Sequence, residues 1–135
     1  MALPFLDTNI FVRHLTQDHP DHSPRATAYR GRIERGELQV RIFDTVVFET
    51  VYVLQHSYHQ PKAAIRDALL PLLDLPGIVL PGKRRFRTVF DLYVDLNISF
   101  ADAYHAVLME RLKMSEAVSF DREFNRVRGI TRVEP

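Results

Sequence analysis

Four acidic residues stand where carboxylates can do chemical work. Asp7 follows the short apolar run Leu3–Leu6, and Asp121 follows Ala117–Phe120. Both runs read as strands, and in open parallel sheets sites form beyond the carboxyl ends of strands, where the strand order reverses. Each Asp also has a plain structural use, because Asp satisfies free N–H groups at a helix start. At position 7 the neighbouring Thr8 competes for that use. Asp102 closes Ser99-Phe100-Ala101-Asp102, the S-x-x-acid form of a capping box, and taken alone it reads as structural. Glu49 differs. It is the single charge in Val46–Leu54, with Thr45, Val46, Tyr52 and Val53 three and four places away. Such surroundings predict a buried carboxylate, which must find a partner, a cation or a proton. Several carboxylates drawn together repel, and a hard divalent cation with oxygen ligands relieves the repulsion.

Other chemistry is scarce. The absence of cysteine excludes disulfides, thiolate metal sites and a thiol nucleophile. His19 and His22 lie in a polar, proline-containing stretch, and His56 and His59 follow a helix toward its exposed end; neither pair has zinc spacing. His105, one turn after Asp102, is expected as a buried or supporting group. No persuasive Ser/His/acid triad is present. The net charge of +1 predicts no partner, but the basic side is 15 Arg against 3 Lys. Arg forks suit phosphate and stack on bases. If the four acids are neutralised by cations, the rest of the chain carries a positive surplus. The most apolar segment, Thr45–Leu54, falls far short of the roughly 20 residues needed to cross a bilayer, and MALPFLDTNI has no basic leader. A cytoplasmic protein without membrane attachment is expected.

The elements that must position these residues alternate. Asp7-Thr8-Asn9 opens a helix through Leu15, and Ser23-Pro24 opens a second to about Arg35–Gly36. Leu38–Phe43 reads as strand. Asp44 is expected to cap an apolar helix to about Tyr58, and Pro61 to open another that Pro71 bends or splits. Gly77–Leu80 is a short strand. Phe86, Val89, Phe90, Tyr93 and Val94 mark an amphipathic helix within Lys83–Asp95, and Ser99 caps the next, Ala101–Lys113. Ala117–Phe120 and Ile130–Val133 are the last strands, around a short helix over Arg122–Val127. Strands alternating with helices imply an α/β class with a parallel sheet covered on both faces. Without repeat or linker, residues 1–135 read as one domain.

The ordered set formed by Leu6-Asp7-Thr8-Asn9, Glu49 in its apolar helix, Ser99-Phe100-Ala101-Asp102-Ala103 and Ser119-Phe120-Asp121-Arg122-Glu123-Phe124 resembles the PIN-domain nucleases. In length and spacing it is similar to the VapC-type toxins of toxin–antitoxin pairs, over essentially the whole chain. The resemblance implies a three-layer α/β/α sandwich with strand order 3-2-1-4-5. It places Asp7, Glu49, Asp102 and Asp121 around one or two Mg²⁺ or Mn²⁺ ions, with Thr8, Asn9 and Ser119 in support. Some relatives carry a further acid after the fourth, for which Glu123 and Asn125 are the nearby candidates. The implied activity is endonucleolytic hydrolysis of RNA by metal-activated water. Arg84, Arg85 and Arg87, with Arg122, Arg126 and Arg128, are candidate phosphate contacts, although Arg87 and Asp91 also have the spacing of a solvated helix pair. The resemblance further implies a homodimer and a protein antitoxin lying near the site. The apolar content at Tyr29, Ile33, Tyr52, Leu69 and Leu72 fits that expectation.

Other classes remain as alternatives. A phosphatase of the haloacid-dehalogenase type would use Asp7 as nucleophile and a second Asp two places on, where Asn9 stands. An RNA-processing nuclease that is no toxin, or a PIN-like domain that binds RNA or a partner without cutting, shares the pattern. All four acids are present, which disfavours the non-cutting form.

Overall fold

Residues 2–135 are described by a computed structural model, in which the chain forms two compact units, one ending at Lys83 and the other spanning Arg84–Pro135. The first contains α1 (Thr8–Thr16), α2 (His22–Glu34), β1 (Val40–Arg41), α3 (Asp44–His56), α4 (Lys62–Leu73) and β2 (Ile78–Val79). β1 and β2 pair in parallel, Val40 opposite Ile78. On the other side of β1, Phe5 bridges Arg41, also in parallel. The N–H groups of Val40 and Ile42 bond to Gly77 and Val79, whereas that of Arg41 bonds to Pro4. Alternate residues of β1 therefore serve neighbours on both sides, as in the middle of a parallel sheet. Asp7 is delivered at the carboxyl end of the segment beside it. Leu6, Val40, Ile42, Val47, Leu54, Ile65, Leu69 and Ile78 are buried and form this unit's core.

Several boundaries differ from expectation. β1 and β2 shrink to two residues each, and α2 begins at His22, one residue before Ser23. Asp44 is the first residue of α3 and not its cap; Phe43 holds the cap position without a side-chain hydrogen bond. Pro71 does not split α4, which runs unbroken to Leu73. Its missing N–H forfeits one bond to the Asp67 carbonyl in the last turn. Leu69, Leu70, Leu72 and Leu73, all buried, hold that turn against the core.

The second unit contains α5 (Arg85–Asp95), α6 (Phe100–Arg111), β3 (Glu116–Val118), a 3₁₀ turn over Arg122–Arg126 and β4 (Thr131–Val133). β3 and β4 are parallel, with Ala117 opposite Arg132. The expected stripe on α5 is present: Phe86, Val89, Phe90 and Tyr93 are fully buried. Phe100, the first residue of α6, packs its ring 4.8 Å from Phe90 and 5.4 Å from Tyr93. This aromatic cluster fixes the start of α6, and with it Ser99 and Asp102.

Gly77 shows how tightly the first unit is closed. A Cβ built there would lie 2.6 Å from Ile33 Cγ2 and 3.0 Å from the Leu38 carbonyl oxygen. Gly77→Ala must push β2 away from α2, at a cost of about 1–3 kcal/mol. Equilibrium denaturation should show that loss, and an unchanged midpoint would mean that the contact yields freely.

Candidate active site

In the first unit, Asp7 is the N-cap of α1, and its Oδ1 accepts the Thr8 N–H at 2.8 Å. Thr8 Oγ1 donates to Glu49 Oε2 at 2.9 Å. One buried threonine thus ties an acid at a strand end to an acid on α3. Glu49 itself is exposed, contrary to the expectation of burial. The buried face of α3 is Val46, Val47, Thr50, Val51 and Leu54; Thr45, Glu49, Tyr52 and His56 lie on the exposed one. Tyr52 hid this second face from a reading by residue type, since it counts as apolar yet is 63% exposed. Asn9 is also exposed and edges an open cleft with Arg13, His22, Arg25 and Tyr29. Asp18 lies 3.6 Å from Arg13 and Asp21 lies 3.3 Å from Arg25, so both cations have local counter-charges.

The second unit gathers three carboxylates. Ser99 caps α6, its Oγ accepting the Asp102 N–H at 3.1 Å. In a full capping box the acid would return the favour to the Ser99 N–H. Glu123 Oε2 takes that N–H at 2.8 Å, so Asp102 is released from capping. Its Oδ2 is buried and has no hydrogen-bond partner. Ser119 Oγ accepts the Asp121 N–H, and Asp121 Oδ1 accepts the Glu123 N–H, each at 2.9 Å. One oxygen from each of Asp102, Asp121 and Glu123 lies within 4.8 Å of the others.

Burial pushes the Asp102 carboxyl up to about 7, helped by the adjacent carboxyls of Asp121 and Glu123. Asp121 moves the opposite way: the Glu123 N–H, the Asp102 carboxyl and then Arg126 and Arg132 hold it below the ordinary range. This divergence is that of two acids sharing one proton. Oxygen donors at this spacing, with one buried oxygen unsatisfied, fit a hard divalent cation. Glu123 therefore belongs with Asp102 and Asp121, and its position two residues after Asp121 was the available signal. Asn125 instead faces Arg132 Nε at 3.4 Å. His105 is exposed, not buried, with its ring edge-on to Tyr104.

The arginines divide into two kinds. Arg85 lies over the rings of Phe86 and Tyr104 and donates to the Tyr104 hydroxyl at 3.3 Å. Arg126 donates to the carbonyls of Leu96 and Asn97, tying down the loop after α5. Arg84, Arg87 and Arg122 are exposed.

The raised Asp102 value has a thermodynamic consequence. Between 3.8 and about 7 the folded protein binds a proton that the unfolded chain has released. That contribution to stability is present at low pH and is lost as pH rises through about 7. Metal-free protein should therefore lose melting temperature across this range, and Asp102→Asn should shrink the loss. Calorimetry on both proteins tests this; identical pH profiles would contradict it.

The match to known proteins agrees with the geometry. Over 133 residues the chain is 23% identical to a VapC ribonuclease of Aquifex aeolicus (strain VF5), covering 98% of this chain and 97% of that protein. The PIN domain matches residues 5–130, a stretch that holds all of the acids described above. By that match over nearly its whole length, the chain belongs to the PIN domain family.

Proposed function

We propose that this protein is a divalent-metal-dependent endoribonuclease, acting as the toxin of a VapBC-type toxin–antitoxin pair. The observation that carries the reading is the buried, unpartnered Oδ2 of Asp102 beside the carboxyls of Asp121 and Glu123. Family membership and the similarity to a VapC ribonuclease support the choice of RNA.

In this reading residues 1–135 act as one domain, a three-layer α/β/α sandwich of strand order 3-2-1-4-5. Asp7, Glu49, Asp102 and Asp121 serve one centre that holds Mg²⁺ or Mn²⁺. A bound divalent cation supplies Lewis-acid stabilisation at a phosphodiester oxygen and a water of lowered pKa. The protein's own part is orientation. Thr8 holds Glu49 by its hydroxyl and Asp7 by its N–H. Ser99 and Ser119 hold the backbone of Asp102 and Asp121, leaving carboxylate oxygens for the cation. Asn9, next to Thr8, supports the centre on the Asp7 side. Arg84, Arg87 and Arg122 supply phosphate contacts, with Arg85 contributing charge from its packed position and Arg126 from the surface where it binds the Leu96 and Asn97 carbonyls. A homodimer, an antitoxin protein and a cytoplasmic setting complete the reading. Among the described residues, no helix is long and apolar enough to cross a membrane.

Cleavage of RNA should vanish in EDTA and return with Mg²⁺ or Mn²⁺. Alanine at Asp7, Glu49, Asp102 or Asp121 should each lower the rate by orders of magnitude with the fold retained by circular dichroism. Arg84→Ala should instead weaken RNA binding and reduce its salt dependence, leaving the chemical step nearly unchanged. Full cleavage by pure protein in EDTA would refute the metal mechanism.

A further inference from the structure

We propose that Tyr52, backed by His56, forms a stacking platform for an unpaired nucleobase beside Glu49. The inference rests on the RNA reading and deepens it, by assigning a base-binding subsite that favours single-stranded or looped substrate. Tyr52 is one turn beyond Glu49 on the exposed face of α3, about 4.5 Å along the helix axis. Tyr52 is 63% exposed, and its ring packs against that of His56 at 4.3 Å between centroids, tilted by 37°. The His56 ring backs one side of Tyr52, and the exposed side of the Tyr52 ring is open to a base. Among the described residues the Tyr52 hydroxyl makes no hydrogen bond, so no polar contact explains why a large ring is held out of the core. Thr8 meanwhile fixes Glu49 on this face through its hydroxyl.

Unpaired bases are recognised by stacking on such aromatic faces, whereas bases within a duplex keep theirs covered. A protein occupant of the same face would need a continuous apolar patch. Here the helix neighbours of Tyr52 are Glu49, Gln55 and His56 with the half-buried Phe48, a mostly polar surround that suits a nucleotide better than an apolar partner.

The test uses the full chain and a short unstructured RNA carrying 2-aminopurine, whose fluorescence is quenched on stacking. Wild-type protein should quench the probe. Tyr52→Ala should abolish the quench and weaken binding about tenfold, within the range of a single base–aromatic stack. Tyr52→Phe should keep both. The slope of affinity against salt should not change, because no phosphate contact is removed. In cleavage, KM should rise with kcat nearly constant.

Unaltered affinity and quench in Tyr52→Ala would overturn the platform while leaving the nuclease reading intact. A change of oligomeric state by light scattering, with RNA binding unaffected, would assign Tyr52 to a contact between copies and also overturn it. Absence of both RNA binding and metal-dependent RNA cleavage in the wild type would overturn the platform together with the reading beneath it.

Discussion

Carboxylates held within a few ångströms repel unless a proton or a cation lies among them, and the second unit is arranged around that repulsion. Asp102, Asp121 and Glu123 do not drift apart because each is fixed by a group that cannot move independently. Asp121 is held by the N–H of Glu123, Glu123 by the N–H of Ser99, and the Asp102 N–H by the Ser99 hydroxyl. These bonds run as a chain through the 3₁₀ turn and the start of α6. The aromatic packing of Phe100 against Phe90 and Tyr93 anchors one side of it. The consequence is a proton-sharing pair with one carboxyl near neutrality and the other pushed down.

Capping and site chemistry are not rival explanations for these acids. A carboxylate has two oxygens and about four lone-pair positions, so one backbone bond leaves most of its capacity open. Asp7 spends Oδ1 on the Thr8 N–H, and Asp121 spends Oδ1 on the Glu123 N–H. The helix or turn start then acts as a mount that fixes the carboxylate's direction. Asp102 is the exception, since Glu123 replaces it in the capping box. It is also the acid with the buried, unsatisfied oxygen.

The first unit uses a different device. Thr8 is buried, and its N–H and hydroxyl reach two acids from separate elements. A hydroxyl can both fill space in the core edge and direct a hydrogen bond outward, which no aliphatic residue of similar size can do. The arginines show a similar division of labour. A planar, delocalised guanidinium lies well on rings and reaches carbonyls in pairs, so Arg85 and the exposed Arg126 serve the fold, and Arg84, Arg87 and Arg122 are exposed as well.

Local chemistry alone determined much of this protein. Short-range capping preferences and helical spacing were enough to place α1, α5 and α6 within a residue or two, and to single out the acids at strand and helix ends. The α/β alternation followed from the order of apolar runs and turn residues. Tertiary structure decided what depends on distant neighbours. Whether Glu49 faces the core or solvent turns on which side of α3 meets α1 and α4, and a run containing Val, Phe and Tyr looks apolar on every side until that packing exists. Pro71 stays within α4 because buried leucines around it outweigh one lost bond. Asp102 is free of its capping box because Glu123, 24 residues from Ser99, reaches the same N–H first. Hydrogen bonds between neighbours in sequence are written into residue types and spacing, but competition for one donor between near and distant acceptors is settled only when the chain has folded.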